Sequence, residues 1–208
     1  ETVTYINGAL ALPYWISALV PDSGNGSRYK NLLGLTKAFS YSFPSSIPAY
    51  NTDEEDAKGY TGLNVAQQYN AIALLNTLTT FIDVSVSLTT NHDSPNTIAI
   101  ALNDQEGSGG FAQYPSSGST GSDIFLSNES YNSTLNPGTY GALTITHELG
   151  HALGLKHPFD EPDASGNIPD PPYLQGDEDH AKWAMMSYTK TSNEYKLEFS
   201  KLDIAALQ

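Results

Sequence analysis

The sequence predicts an α/β chain: a sheet carrying two long helices, then an irregular C-terminal part that ends in a helix. Three observations predict it. Apolar residues recur at helical spacing after Asn64. The run Ile98, Ile100, Leu102 alternates only with Ala99 and Ala101, as in a strand covered on both faces. A second helical stretch, Thr139 to Leu155, gives way to a segment dense in Pro and Asp. The order strand, helix, strands, helix is that of an α/β sheet.

Element by element, Glu1 to Lys37 mixes short apolar runs with a loop at Pro21 to Asn25. Phe39, Tyr41 and Phe43 then alternate with serines at strand period, and Pro44 and Pro48 end the run. The acidic, Gly-containing stretch Thr52 to Gly62 reads as loop. Asn64 followed by Gln67 is a capping box, and Val65, Tyr69, Ile72, Leu75 and Leu78 form one helical stripe. Ile82, Val84, Val86 and Leu88 alternate with polar residues, predicting a strand with one wet face. Gly107 to Gly121 is rich in Gly and Ser and encloses Gly110 to Tyr114, an edge strand or a flexible loop. Ile124 to Leu126 is a short strand, Pro158 to Asp179 is loop, and Lys201 to Gln208 begins a final helix.

Composition narrows the function. The chain has 208 residues, 39% of them hydrophobic, which suffices for a core. No apolar run approaches the roughly 20 residues that cross a bilayer, so a membrane is not an expected partner. With 9 Lys plus Arg against 23 Asp plus Glu, the net charge is −14. That excludes a phosphate backbone, and hence nucleic acid, as the expected partner, and a self-repelling monomer is expected. The absence of cysteine excludes disulfides, thiolate catalysis and Cys-ligated zinc. The chain starts at Glu1 and ends at Gln208 inside a helical pattern, so an excised fragment with missing flanking domains is expected.

The chemistry concentrates in His147-Glu148-Leu149-Gly150-His151-Ala152-Leu153-Gly154-Leu155-Lys156-His157. His147 and His151 differ by about 40° of rotation and about 6 Å of rise on a helix, so both imidazoles reach one ion. Glu148 lies one step round the helix, beside a water on that ion rather than on the ion itself. His157 would sit about 9 Å beyond His151 on a straight helix. The helix must therefore stop and fold back, which Gly154 permits and Pro158 enforces. Three neutral imidazoles leave an open position, the catalytic zinc arrangement; Cu²⁺ or Ni²⁺ would bind the same donors. The expected reaction is hydrolysis of peptide bonds by a zinc-activated water, with Glu148 as general base. The competing account, ordinary helix-face histidines, is disfavoured by the completeness of the pattern. His92 and His180 read as solvated loop residues.

The string Thr146 to Pro158 resembles the zinc signature of metzincin metalloproteases, and more narrowly that of the serralysins, secreted bacterial proteases. Met186-Ser187-Tyr188 is similar to the family's Met-turn, and Asp203-Ile204-Ala205-Ala206-Leu207-Gln208 to the helix closing its catalytic domain. The resemblance implies a metzincin-like catalytic domain: a twisted mixed sheet with two long helices and an irregular C-terminal subdomain. The whole of 1–208 is expected to be one such domain, with 1–155 as sheet-and-helix subdomain and 156–208 holding the Met-turn.

It also implies His147, His151 and His157 as zinc ligands, Glu148 as base and Met186 as a hydrophobic floor. Met185 adjoins Met186, so a register one residue earlier stays open, though Ser187-Tyr188 favours Met186. Tyr188 would serve both as a metal ligand at rest and as a catalytic donor to the developing oxyanion. Gly110, Phe111, Ala112 and Gln113 would bind an extended substrate.

Thr189 stands where the family often has Trp, and the loop Phe159 to Asp179 is long and proline-rich. The family's C-terminal calcium-binding repeat domain has no counterpart in these 208 residues. Asp160 to Asn167 is acidic and contains Gly166 without matching a calcium loop, so Ca²⁺ is a second cation there on composition alone. The expected function is thus a secreted, extracellular zinc endopeptidase acting on proteins or peptides. The alternatives are a protease-type module of a larger surface protein, acting on its own chain or a partner, and an inactive binding module.

Overall fold

The computed structural model describes residues 5–6, 9–10, 12–21, 37–94, 96–116, 118, 120–162, 166 and 168–208. The expected loop Pro21 to Asn25 lies almost wholly outside the described residues, and the expected calcium segment Asp160 to Asn167 lies partly outside them.

The sheet is built on β6 (Thr97–Asn103), every residue of which is buried. On one side β6 pairs in parallel with β3 (Ala38–Ser42), which pairs in parallel with β5 (Ser85–Leu88). Where β3 ends, the two-residue β4 (Thr61–Gly62) takes its place, antiparallel, through Thr61 opposite Leu102. On its other side β6 pairs in parallel with β8 (Ile124–Ser127), and β7 (Gly110–Ala112) closes that edge antiparallel to β8. A separate two-stranded hairpin joins β1 (Tyr5–Ile6) to β2 (Ala9–Leu10). The mixed α/β sheet predicted from sequence is therefore present, and its edge strand is β7.

Two long helices cover the sheet. α3 (Val65–Leu78) begins at Asn64, whose side chain accepts from Gln67 N while Gln67 Oε1 accepts from Asn64 N, the expected capping box. The expected apolar stripe is corrected in its first turns, because Val65 and Tyr69 are 84% and 74% exposed. Gln67 and Asn70 face inward instead, donating to Asn132 O at 2.7 Å and Asn136 Oδ1 at 2.8 Å. Those polar bonds fix the helix rotation at its start, and Ala71, Leu74, Leu75 and Leu78 supply the apolar contact further along.

α4 (Tyr140–Ala152) is capped by the Thr139 side chain and stops three residues before the expected Leu155. Gly154 at φ +102° turns the chain, as the sequence required. Short elements occupy the expected loop 52–62: α2 (Glu54–Ala57), capped by Asp53, and β4. Ile82 and Val84 precede β5 rather than join it, and Leu88 is 59% exposed because β5 is the far sheet edge.

α5 (Lys201–Leu207) ends the chain, with Ser200 and Asp203 forming its cap. The short α1 (Tyr14–Ser17) lies against α5. Ala18 and Leu19 pack with Leu155, Leu174, Ala184 and Met186, and Lys156 N donates to Leu19 O at 2.8 Å. The chain's beginning thus buttresses the segment just past the helix turn.

Just before β8, Asp123 is buried, accepting from Tyr50 Oη at 2.9 Å and Ala99 N at 3.2 Å. Burial pushes its carboxyl up to about 8, with the nearby Asp56 adding to the rise, and Tyr50 and Tyr60 face the same carboxyl. Asp93 lies near Tyr50. The native chain holds a proton here that the unfolded chain releases near pH 4. The stability from this group is full below about pH 4 and drains as pH climbs to about 8. Between pH 5 and pH 8.5, melting of wild type should fall further than that of Asp123→Asn. Parallel curves would refute the assignment.

Candidate metal centre

α4 carries His147 and His151 on one face, and the turn at Gly154 returns His157 to the same point. His157 Nε2 lies 3.0 Å from His147 Nε2 and 2.9 Å from His151 Nε2. A tetrahedral ion with bonds of about 2.0–2.1 Å needs donors roughly 3.3 Å apart, a few tenths of an ångström from this spacing. Among the described residues this is the one group of three or more His, Asp or Glu side chains arranged to hold a metal.

The other ring nitrogens explain why a cation fits. His147 Nδ1 donates to Met185 O at 2.7 Å, and His151 Nδ1 donates to Leu155 O at 2.8 Å. Each ring therefore presents an unprotonated Nε2 to the centre. One proton on His157 Nε2 could serve only one of the two lone pairs facing it; a cation serves all three. Burial reinforces this: it lowers His147 to about 3 and lowers His157 further, so both rings are neutral ligands. Three neutral imidazoles with an open position suit zinc.

Glu148 is buried beside the cluster, and burial alone pushes its carboxyl up to about 8. Its Cγ lies against Gly110, where an added Cβ would come to 3.0 Å from both Glu148 Cγ and Phe125 O. A side chain at position 110 would thus push into the space between edge strand and base. Tyr114, just past β7, sets its ring 5.5 Å from that of His151.

Met186 is fully buried beneath α4, and a Cβ on Gly150 would overlap its sulfur. Met185 is buried too, in a different cluster with Leu143 and Ala181. The structure thus separates the two adjacent methionines: the side chain of Met186 underlies the helix, while the backbone of Met185 holds His147. Asp203, which carried no assigned role in sequence, anchors that backbone by accepting from Met185 N at 2.7 Å. In sequence it stood only as the first residue of the stretch Asp203 to Gln208 that resembles the closing helix.

Tyr188 is 47% exposed and spans the open side of the cluster. Its ring centroid lies 5.6 Å from that of His147, 4.7 Å from His157 and 4.8 Å from Phe159. Phe159 stacks on His157 at 4.9 Å, a contact that sequence reasoning missed. His92 and His180 lie outside the cluster, both half-buried.

β7 presents one side to β8. Gly109 O accepts from Ser127 N, Phe111 is opposite Phe125, and Gln113 N donates to Asp123 O. By strand alternation, the backbones of Gly110 and Ala112 face the open edge. The ring of Phe111 stacks on Phe125 at 5.0 Å.

A helix bearing two imidazoles and a carboxylate, a glycine turn returning a third imidazole, and an open strand alongside define the metallopeptidase class of site. The chain belongs to the dual-action HEIGH metallopeptidase family, which residues 41–160 match. Read as residues, those five letters differ from His147–His151 only at Leu149.

Among curated proteins, the chain is 29% identical over 190 residues to metallopeptidase AprA of Pseudomonas marginalis, covering 88% of this chain and 39% of that protein. It is 31% identical over 179 residues to serralysin A of Dickeya chrysanthemi, covering 82% of this chain and 35% of that protein. It is 38% identical over 96 residues to serralysin of Proteus mirabilis, covering 45% of this chain and 16% of that protein. The chain thus spans at most about two fifths of the length of these relatives. The serralysin-type resemblance read from sequence agrees with them.

Proposed function

We propose that this chain is the catalytic module of a zinc endopeptidase of serralysin type, acting on protein or peptide substrates outside the cell. The convergence of three Nε2 atoms, with Glu148 and an open strand edge beside them, carries this reading. His147, His151 and His157 would hold the ion. Zinc bound there supplies Lewis acidity to a water and to the scissile carbonyl.

The remaining work belongs to the chain. Ala112 offers main-chain groups along the open edge, and Gly110 offers its own where a substrate displaces the Ser108 hydroxyl that now bonds its N–H and C=O, so a substrate adds as a further strand and is held extended past Glu148. Phe111 and Gln113 support that strand from the β8 side. Glu148, which a neighbouring cation would hold ionised despite its burial, takes a proton from water and passes it to the leaving amine. Tyr188, whose ring lies over those of His147 and His157, would donate its phenol proton to the developing oxyanion. Met186 fills the space under the helix and Met185 O fixes His147.

The extracellular location is what the serralysin resemblance implies; among the described residues no helix is long and apolar enough to cross a membrane. The test is casein digestion beside metal content. Zinc-loaded protein should cleave and hold about one zinc per chain. Chelated protein should not cleave, and readdition of zinc should restore cleavage. Stoichiometric zinc without cleavage of casein or of a mixed peptide library would overturn the reading.

A further inference from the structure

Lys190 lies beside Tyr188, which covers the cluster. Ion pairs among the described residues join Lys37 to Asp83 and Lys196 to Glu198, and none involves Lys190. It is half-buried and fixed in place. Its Nζ donates to Tyr188 O at 3.1 Å and lies 5.7 Å from the ring centroid of Tyr188 and 5.9 Å from that of Tyr140.

Those two rings locate it. Tyr188 covers His147, and Tyr140 reaches the start of β7, where a Cβ on Gly109 would touch its Cε1 at 3.5 Å. Along β7 the neighbours run from Tyr140 and Thr144 at Gly109, through Glu148 at Gly110, to His151 at Tyr114. A substrate added antiparallel to β7, in the sense β8 already uses, leaves its C-terminal half at the Tyr140 end. Lys190 therefore faces the substrate just beyond the scissile bond, on the leaving-amine side.

We propose that Lys190 is a specificity-determining residue, its ammonium donating to the side-chain carboxylate of Asp or Glu at the position immediately C-terminal to the cleaved bond. This rests on the hydrolase reading above. The rings of Tyr140 and Tyr188 exclude water from one side of the ammonium. A carboxylate there forms a charge-assisted hydrogen bond stronger than one between neutral groups.

The experiment uses zinc-loaded protein and C-terminally amidated peptides that differ only in Glu, Gln or Lys at that position, with the cleaved bond fixed by mass spectrometry. Wild type should favour Glu over Gln by about tenfold in kcat/KM. Lys190→Gln should bring that ratio to about one while still cleaving the Gln peptide, Lys190→Arg should restore it, and Lys190→Glu should favour the Lys peptide. A wild-type ratio near one, or equal losses on all three peptides in the variants, overturns the inference and leaves the hydrolase reading standing. If wild type cleaves none of them, the hydrolase reading fails separately. Calorimetry of the same peptides on zinc-loaded Glu148→Ala then decides: tighter Glu-peptide binding that is lost on adding Lys190→Gln supports the inference, and equal affinities overturn it.

Discussion

Glu148→Gln should lower proteolysis by about 10²–10⁴-fold while leaving zinc content and melting temperature close to wild type. The reason lies in position. Glu148 is outside the set of three converging nitrogens, so the ion does not depend on it. It is buried against Gly110, at the strand edge where a substrate carbonyl would lie. Gln keeps the shape and removes the basic oxygen. Zinc analysis and circular dichroism on the same sample separate loss of the base from loss of the site. A variant within tenfold of wild type would remove Glu148 from the chemistry, and one without zinc would make it a structural residue.

The second large effect is expected far from the histidines in sequence. Asp203→Ala should cost on the order of 3–5 kcal/mol, because the buried donor Met185 N and the part-buried donor Ser200 N lose their acceptor together. At about 2–4 °C per kcal/mol for a chain of this size, melting should fall by roughly 10 °C or more. Burial pushes the Asp203 carboxyl up to about 7 even though backbone donors pull it down, a measure of how closed the site is. Zinc affinity should weaken as well, by about 10–100-fold, since the Met185 peptide that Asp203 anchors also orients His147 through its carbonyl. Asp203→Asn retains one carbonyl acceptor and should lie between. Melting within about 2 °C of wild type for Asp203→Ala would show that the Met185 backbone is held by other means.

Two kinds of information separate here. Local rules determined much from sequence. The spacing of His147 and His151 follows from helix pitch, so the shared face needed no tertiary input. The turn before His157 followed from glycine's access to positive φ and from Pro158. The capping box at Asn64 and the buried character of β6 likewise depend on nearest neighbours and on apolar content alone. The metal chemistry was legible because ligand spacing is a local constraint.

Only the tertiary structure decided what depends on residues distant in the chain. The rotation of α3 was misread because Gln67 and Asn70 find partners at Asn132 and Asn136, some 65 residues away, and those bonds outweigh the apolar stripe at Val65 and Tyr69. Whether Gly110–Ala112 is a strand turned on its pairing with β8, because Gly- and Ser-rich flanks suit a loop and an edge equally. Packing tells Met185 and Met186 apart: the sulfur of Met186 lies under Gly150, while Met185 packs with Leu143 and Ala181 and lends its backbone carbonyl to His147. The sequence placed Asp203 only in the closing helix and gave Lys190 no role, since an acceptor for a buried peptide and a cation beside a cleft are defined by what surrounds them. Periodicity and spacing act along the chain; burial, pairing and charge balance act across it, and there the folded arrangement alone assigns the roles.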